Sequence, residues 1–334
     1  MRGAHHHDVP PILRRAAEAL LLFGLVLTLA FLLLRAAPGD AATLLVPPSA
    51  TGEETARLRE RLGLDESIAV QYARWVGAAL RGDLGESFAR REPVGRVLAE
   101  ALPISLGLGA VSLLLTFVLG TLVGTLQAVR RGRPSDTLLT IATTTVYAAP
   151  SFWLALLLVA VFTSGASQWG FPPALRLPAF GVRSPGGDAT GLAAAADVAR
   201  HAILPVIVLT AIGAAGIARY ARSSIGGVLD ADFIRTARAK GLGHGGTYLR
   251  HALRNALPSL VVLLALSLPG IVAGSVFVES VFAWPGMGRV MLSAIAARDY
   301  PVVMGATVVY GALVIAANLA ADLALPWLDP RRRA

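Results

Sequence analysis

Long apolar runs, separated by short clusters of charge, dominate this chain. No Asp, Glu, Lys or Arg occurs between Ala101 and Val129, between Thr137 and Leu175, or between Asn255 and Val278. A helix needs about 20 apolar residues to cross a hydrocarbon core about 30 Å thick. Each of these runs is long enough. The pattern predicts six spans, at residues 17–34, 103–129, 137–163, 202–220, 258–281 and 302–325. The expected fold class is therefore all-α, a polytopic membrane bundle. Pro150 and Pro269 fall inside the third and fifth spans, where neighbouring helices can satisfy the freed carbonyls. Segment 36–100 carries helical periodicity at 53–62 and 69–80, and is too short for a large core of its own. The connection at 164–200 is rich in Pro, Gly and Ala.

Composition sharpens this picture. Apolar residues make up 55% and charged residues 15%, where soluble domains carry about a quarter charged. The chain has no cysteine, which excludes a disulfide framework, a thiolate metal site and a cysteine nucleophile. His5, His6 and His7 are set aside as uninformative about function. The formal net charge of +9 would suit nucleic acid, but its distribution points elsewhere. With both termini placed inside, the inner segments hold 16 of the 30 basic residues and 7 of the 21 acidic ones. The outer segments hold 14 of each, so the whole excess faces the cytoplasm, as the positive-inside rule expects. No nucleic-acid partner is expected. The charge distribution places the N- and C-termini on the cytoplasmic side of the membrane.

The cytoplasmic loop 221–257 carries the most information. Asp230 and Asp232 precede Phe233, Ile234, Arg235, Thr236, Ala237, Arg238, Ala239 and Lys240, and Gly241 follows. Acidic groups at one end, basic groups at the other and a terminal glycine predict a short helix. A second helical stretch, 247–257, runs into Pro258. Such a loop could lie under the bilayer as a knob for a partner, or could be a solvated loop with snorkelling arginines. The residue pattern alone does not choose. Gly241 can supply the left-handed bend that only glycine adopts cheaply.

Other motifs fare worse. Gly241, Gly243 and Gly246 match the dinucleotide fingerprint literally, but follow a basic helix and lack the later acid. No phosphate-cradling Walker loop exists, so this chain is not expected to hydrolyse ATP. His244 and His251 lack a nearby carboxylate for a metal site. Ser167 and His201 resemble an intramembrane protease pair, but both lie near the outer surface. Arg219, Glu279 and Asp322 lie near span ends, without the midplane carboxylate that an ion-coupled carrier would need. Trp169, Trp284 and Trp327 are expected as interfacial anchors.

The run FIRTARAKGLG…LRHALRNALP resembles the cytoplasmic "EAA" loop of type I importer permeases, in the form found in dipeptide, oligopeptide and nickel permeases. The resemblance covers most of the chain, in LLLRAAPGD, LRERLGLDESIAVQYARWVGAALRGDLGESF, PSFWLALLL, VFVESVFAWPGMGRV and ARDYPVV. It implies the type I ABC importer permease fold, with residues 1–35 as cytoplasmic N-terminus and first span. Residues 36–100 would be extracytoplasmic, 101–328 the core, and 329–334 a cytoplasmic tail. It implies that Asp232, Phe233, Ile234, Arg235, Thr236, Ala237, Arg238, Lys240, Gly241 and Leu242 form a coupling helix seated on an ATPase. His251, Arg254, Asn255 and Pro258 would carry the loop's return. Arg235 stands where the wider superfamily has Glu, which leaves that salt-bridge role unassigned. The implied partners are a second homologous permease subunit, two cytoplasmic ATPase subunits, an extracytoplasmic substrate-binding protein and membrane lipid. The implied cofactors, ATP and magnesium, belong to the ATPases. Di- or oligopeptides are the expected cargo, with nickel complexes, glutathione or oligosaccharides as other options. The alternative is a self-sufficient secondary carrier or channel.

Overall fold

The computed structural model describes residues 11–36, 46, 49, 51–61, 63–186, 190–239, 254–273 and 276–328. Its helices are α1 (Pro11–Ala36), α2 (Gly52–Arg61), α3 (Ile68–Ala79), α4 (Val94–Val129), α5 (Pro134–Ala148), α6 (Ser151–Val159), α7 (Gly165–Gln168) and α8 (Gly191–Leu229). They continue with α9 (Asp232–Ala239), α10 (Arg254–Ala273), α11 (Val276–Val281), α12 (Met287–Ala296) and α13 (Tyr300–Leu328). Among the described residues, five stretches are long and apolar enough to cross a membrane: Ala17–Ala36, Val94–Val129, Ser151–Gln168, Gly191–Leu229 and Tyr300–Ala321. The expected fifth span corresponds to α10, whose apolar part, Asn255–Leu268, is shorter. The two helices expected between the first two spans are present as α2 and α3.

The proline expectations divide. Pro103, Pro205 and Pro269 sit inside continuous helices. At Pro150 the expected third span instead breaks, and Ala149 takes an extended conformation with φ −71° and ψ 133°. Proline disfavours the helical region for its preceding residue and lacks an N–H. Two segments, α5 and α6, result. The expected fifth span takes in both α10 and α11, and residues 274 and 275 between them lie outside the described residues.

The chain divides into two compact units, residues 1–100 with 290–319, and residues 101–289 with 320–334. In the first unit Phe31 of α1 packs edge-on against Tyr72 of α3, ring centroids 5.2 Å apart, and Trp75 lies beside both. Thr28 and Tyr72 share a hydroxyl hydrogen bond of 2.7 Å. Asp299, buried, accepts hydrogen bonds from Ser87 Oγ at 2.5 Å, Phe88 N at 3.0 Å and Ala89 N at 3.1 Å. This knot holds the turn where Arg298 adopts φ +54°, an uncommon region for a residue with a Cβ.

In the second unit α8 is the central helix, packing on α5, α6, α10 and α11. Its 39 residues span about 58 Å at 1.5 Å per residue, well beyond the hydrocarbon thickness. Against α4 it makes a close seam. An added Cβ on Gly213 would meet Thr116 Oγ1 at 2.7 Å, and one on Gly120 would meet Ile217 at 2.6 Å. One on Gly124 would strike the Ala218 carbonyl and come within 2.6 Å of Ala221 Cβ. Gly120 and Gly124 form a G-x-x-x-G pair, the arrangement that lets membrane helices approach backbone to backbone. A second apolar cluster, with Ala155, Leu204, Val208, Val278 and Phe282, packs α6, α8 and α11 together.

Gly124→Val should lower stability by about 1–3 kcal/mol through overpacking. Gly107→Val on the same helix, where an added Cβ meets nothing within 4 Å, should be tolerated. Thermal unfolding of the purified chain in detergent separates the two. Equal midpoints would remove the seam from the account.

Candidate functional site

The short helix α9 follows α8 after only Asp230 and Ala231. Asp232 opens it from the first turn, where a negative charge complements the helix dipole. Ile234 is completely buried, whereas Asp232, Phe233, Arg235 and Thr236 are exposed. Among its described side chains Ile234 anchors the helix and the others face outward. Thr236 Oγ1 donates to the Asp232 carbonyl at 3.1 Å. The Arg235–Asp232 pair, 3.4 Å apart and exposed on both sides, contributes little in water. The side chains of Ala237 and Arg238 lie outside the described residues, as do Lys240, Gly241, Leu242 and His251 in full. Arg254 opens α10, although its side chain is outside the described set. Asn255 is exposed and Pro258 half-buried.

The end of α8 that leads into α9 is held on three sides. Arg131, past the end of α4, pairs with Asp230 at 3.0 Å. Arg222 pairs with the buried Asp136 of α5 at 2.8 Å. Ser224 and Ser259 share a 2.9 Å hydrogen bond between α8 and α10. Ala128, Ala221, Ile225, Ala256 and Leu260 form the apolar layer among these elements. Burial would raise the Asp136 carboxyl, but the Gly132 N–H, the Arg222 guanidinium and Thr140 together hold it below its ordinary value. A carboxyl lowered in this way stabilises the fold above the ordinary carboxylate range and loses that contribution as pH falls through the lowered value. The link stays ionised at neutral pH. The two ion pairs are unequal: both partners of Arg131–Asp230 are mostly exposed, whereas Asp136 is shielded. The second is the stronger tie.

A cavity of about 500 Å³ opens between α4, α8 and α10. Its wall alternates apolar groups with Ser105, Ser112, Thr116 and Ser267, and Glu279 stands at its border. Glu279 is buried and its oxygens are engaged. Oε1 accepts from Ser105 Oγ at 2.7 Å, and Oε2 accepts from the Gly288 and Arg289 amides at 2.8 and 3.2 Å. Ser105 Oγ in turn accepts from Met287 N at 2.8 Å. The acid thus caps α12 and ties its start to α4. The glycines of WPGMG have steric reasons to be there. A Cβ at Gly286 would come within 2.6 Å of Glu279 Oε2, and one at Gly288 within 2.8 Å of Val276 Cα. Trp284, expected as an interfacial anchor, is instead buried, because the turn after α11 folds its ring inward. Trp169 is exposed. His201 sits against Asp197, its Nδ1 2.9 Å from that residue's carbonyl, as a satisfied core histidine.

A short charged helix at one end of α8 and an apolar, serine-lined cavity farther along it suit a membrane component driven from outside. Residues 104–334 match the family described as binding-protein-dependent transport system inner membrane component, and residues 10–109 match its N-terminal region. The chain belongs to this family. It is accordingly a non-catalytic permease component of an ABC importer, a multi-pass inner-membrane protein. A binding protein and an ATPase are its partners by the nature of such systems. A permease protein of Brucella ovis is 39% identical over 93% of this chain and 96% of its own length. The oligopeptide transport system permease protein AppB of Bacillus subtilis is 35% identical over 96% of this chain and 98% of its own. The glutathione transport system permease protein GsiC of Salmonella paratyphi A is 34% identical, with 96% and 98% covered. Among solved structures, the methionine ABC transporter MetNI in an inward-facing conformation superposes with a TM-score of 0.51 at 18% identity. That superposition covers 70% of this permease and 96% of the matched chain, and it supports the fold.

The Glu279 cap makes a sharp prediction. In Glu279→Gln the amide oxygen can accept from both backbone amides while its NH₂ donates to Ser105 Oγ, so the cap survives. Glu279→Ala leaves those donors buried and unpaired, at about 1–3 kcal/mol for each unsatisfied group. Thermal unfolding should therefore show a marked loss for Ala and near wild-type behaviour for Gln. Equal midpoints for all three would rule out the cap.

Proposed function

We propose that this permease carries peptides inward as one half of a membrane pair, with α9 as the contact through which the ATPase acts. The observation that carries the reading is α9 itself. A charged, amphipathic helix anchored by the buried Ile234 presents the exposed aromatic Phe233 among charged neighbours. An aromatic at the centre of a polar surface is the usual anchor of a protein interface. Peptide cargo is favoured by the named relatives, AppB for oligopeptides and GsiC for glutathione, itself a peptide. A second, homologous permease would complete the passage, with the cavity between α4, α8 and α10 contributing its wall. ATP-driven closure of the ATPases would shift an equilibrium between inward- and outward-open states. Asp232 to Leu242 would form the coupling segment, and His251, Arg254, Asn255 and Pro258 its return.

In this arrangement both termini and α9 are cytoplasmic, and the segment holding α2 and α3 is external. The absence of cysteine makes single-Cys variants clean reporters. Thr236→Cys should react with an impermeant maleimide only after the membrane is opened, and Ala89→Cys should react in intact spheroplasts. Both positions are exposed. The reverse pattern would overturn the orientation.

Coupling is tested on the assembled importer in vesicles. Phe233→Ala should leave this chain folded and weaken ATPase docking by about 2 kcal/mol or more, at least about thirtyfold. Peptide uptake and binding-protein-stimulated ATP hydrolysis should both collapse. Normal uptake by this variant would remove α9 from the coupling role. Failure of wild-type vesicles to take up peptides, with ATP hydrolysis still stimulated, would overturn the cargo alone.

A further inference from the structure

A second cavity, about 520 Å³, lies at the basic end of the bundle between α4, α5 and α8. Three guanidinium groups, from Arg131, Arg219 and Arg222, face it together with the Asp230 carboxylate. Their pairing is uneven. Arg131 is matched by Asp230 and Arg222 by Asp136. Among the described residues no carboxylate lies within ion-pair reach of Arg219, whose guanidinium is held over the Tyr147 ring, 5.1 Å from its centroid. Among the described residues the cavity therefore keeps one positive charge without a carboxylate partner, pre-oriented by an aromatic face. Gln127, only 1% exposed, also lines it, and its Oε1 accepts no hydrogen bond among the described residues. An acceptor of this kind takes a hydroxyl or N–H donor and not a phosphate oxygen. Gly226 and Gly227 leave the α8 wall as bare backbone, with open space where a Cβ would stand.

The level of the cavity narrows the choice of ligand. The apolar run of α4 ends at Val129, just before Arg130 and Arg131. That of α8 ends at Ala218, just before Arg219. In α5 the apolar positions begin at Leu138, after Asp136. All three helices thus pass from apolar to charged at the height of the cavity, where a bilayer's headgroups lie. Basic pockets between membrane helices at this level suit anionic headgroups. A guanidinium also matches phosphate oxygens better than a point charge does.

We propose that this cavity binds the phosphate of an anionic glycerophospholipid, with Arg219 as the principal contact and Arg131 and Arg222 as flanking charge. The chemistry is that of a phosphodiester. The headgroup is preferred to free phosphate as its source because of the cavity's level in the membrane. A lipid bound here would stand beside the Arg131–Asp230 and Arg222–Asp136 ties. Negative charge in the cavity would then compete with Asp230 and Asp136 for the same arginines, and bear on the end of α8 that leads into α9.

The test is direct binding, so it is independent of the cargo and coupling readings. The full chain, purified with the subunits it assembles with, is titrated with phosphatidylglycerol or phosphatidylcholine, and bound lipid is counted by native mass spectrometry. Wild type should retain phosphatidylglycerol in preference to phosphatidylcholine. Arg219→Gln should weaken that retention about fivefold, since one basic group near an anionic surface is worth about 1 kcal/mol. Arg219→Lys, which keeps the charge, should retain most of it. Millimolar inorganic phosphate should not displace the lipid. Unchanged retention in Arg219→Gln would overturn the site, as would an equal loss in the Lys variant. Displacement by inorganic phosphate would overturn the lipid as the source. If Arg219→Gln instead released the ATPase subunits with lipid unchanged, the cavity would belong to that interface and the proposal would fall.

Discussion

The close approach of α4 to α8 is the constraint on which the second unit depends. In lipid, apolar side chains gain nothing by leaving a solvent as apolar as themselves, so helices associate through packing and hydrogen bonds. Removing side chains at Gly120, Gly124 and Gly213 lets Thr116, Ile217 and Ala221 fill the seam. Two features follow from the seam. On one side the helices flank the serine-lined cavity with α10, and on the other they flank the basic cavity with α5. A side chain inserted at Gly124 would push apart the walls of both.

A second principle governs the ends of the helices. Terminal amides and carbonyls have no partners within the helix, and near a membrane each unsatisfied group is costly. Three acidic residues use one device, at helix starts and at a turn. Glu279 receives two amides at the start of α12, Asp299 receives two amides from the turn after Ser87, and Asp136 receives the Gly132 amide before α5. Each also takes a side-chain hydroxyl or guanidinium from a residue distant in the chain or across the turn. These carboxylates therefore need no proton-carrying role to explain their burial. That agrees with a subunit whose energy comes from elsewhere.

Much of this was legible in the chain, and the reasons are specific. Charge-free runs marked the spans because a membrane enforces apolar composition over some 20 residues. The run from Asp232 to Ala239 announced α9 because its charges follow the helix dipole. The outcome at each proline was not legible, since Pro205 sits in a continuous helix and Pro150 ends one, a difference set by surrounding packing. The glycine pair at 120 and 124 was present as a spacing, but its partner α8 lies about a hundred residues on. The Glu279 cap joins Ser105 to residues 174 positions later, and only the folded chain brings them together. Trp284 was misread because an aromatic near a span end fits an interfacial belt and a buried turn equally well.

The geometry also constrains how force could reach the passage if α9 is its entry point. Ile234 is fully buried, so a displacement of α9 cannot be absorbed by rotation of a loose loop. Two residues separate α9 from α8, and the last turns of α8 are tied to Arg131, Asp136 and Ser259. Of these ties, the exposed Arg131–Asp230 pair is the weakest, at about 0–1 kcal/mol, and the partly shielded Arg222–Asp136 pair is stronger. A modest push would therefore release the first while the second still held α5 to α8. Motion would then pass along α8 as a rigid rod to the residues that line the serine-rich cavity, Leu209, Gly213 and Gly216 among them. A long, continuous helix gripped weakly at one tie and firmly at the next is what a two-state transmission requires. Packed interfaces of this kind switch between discrete arrangements instead of deforming continuously.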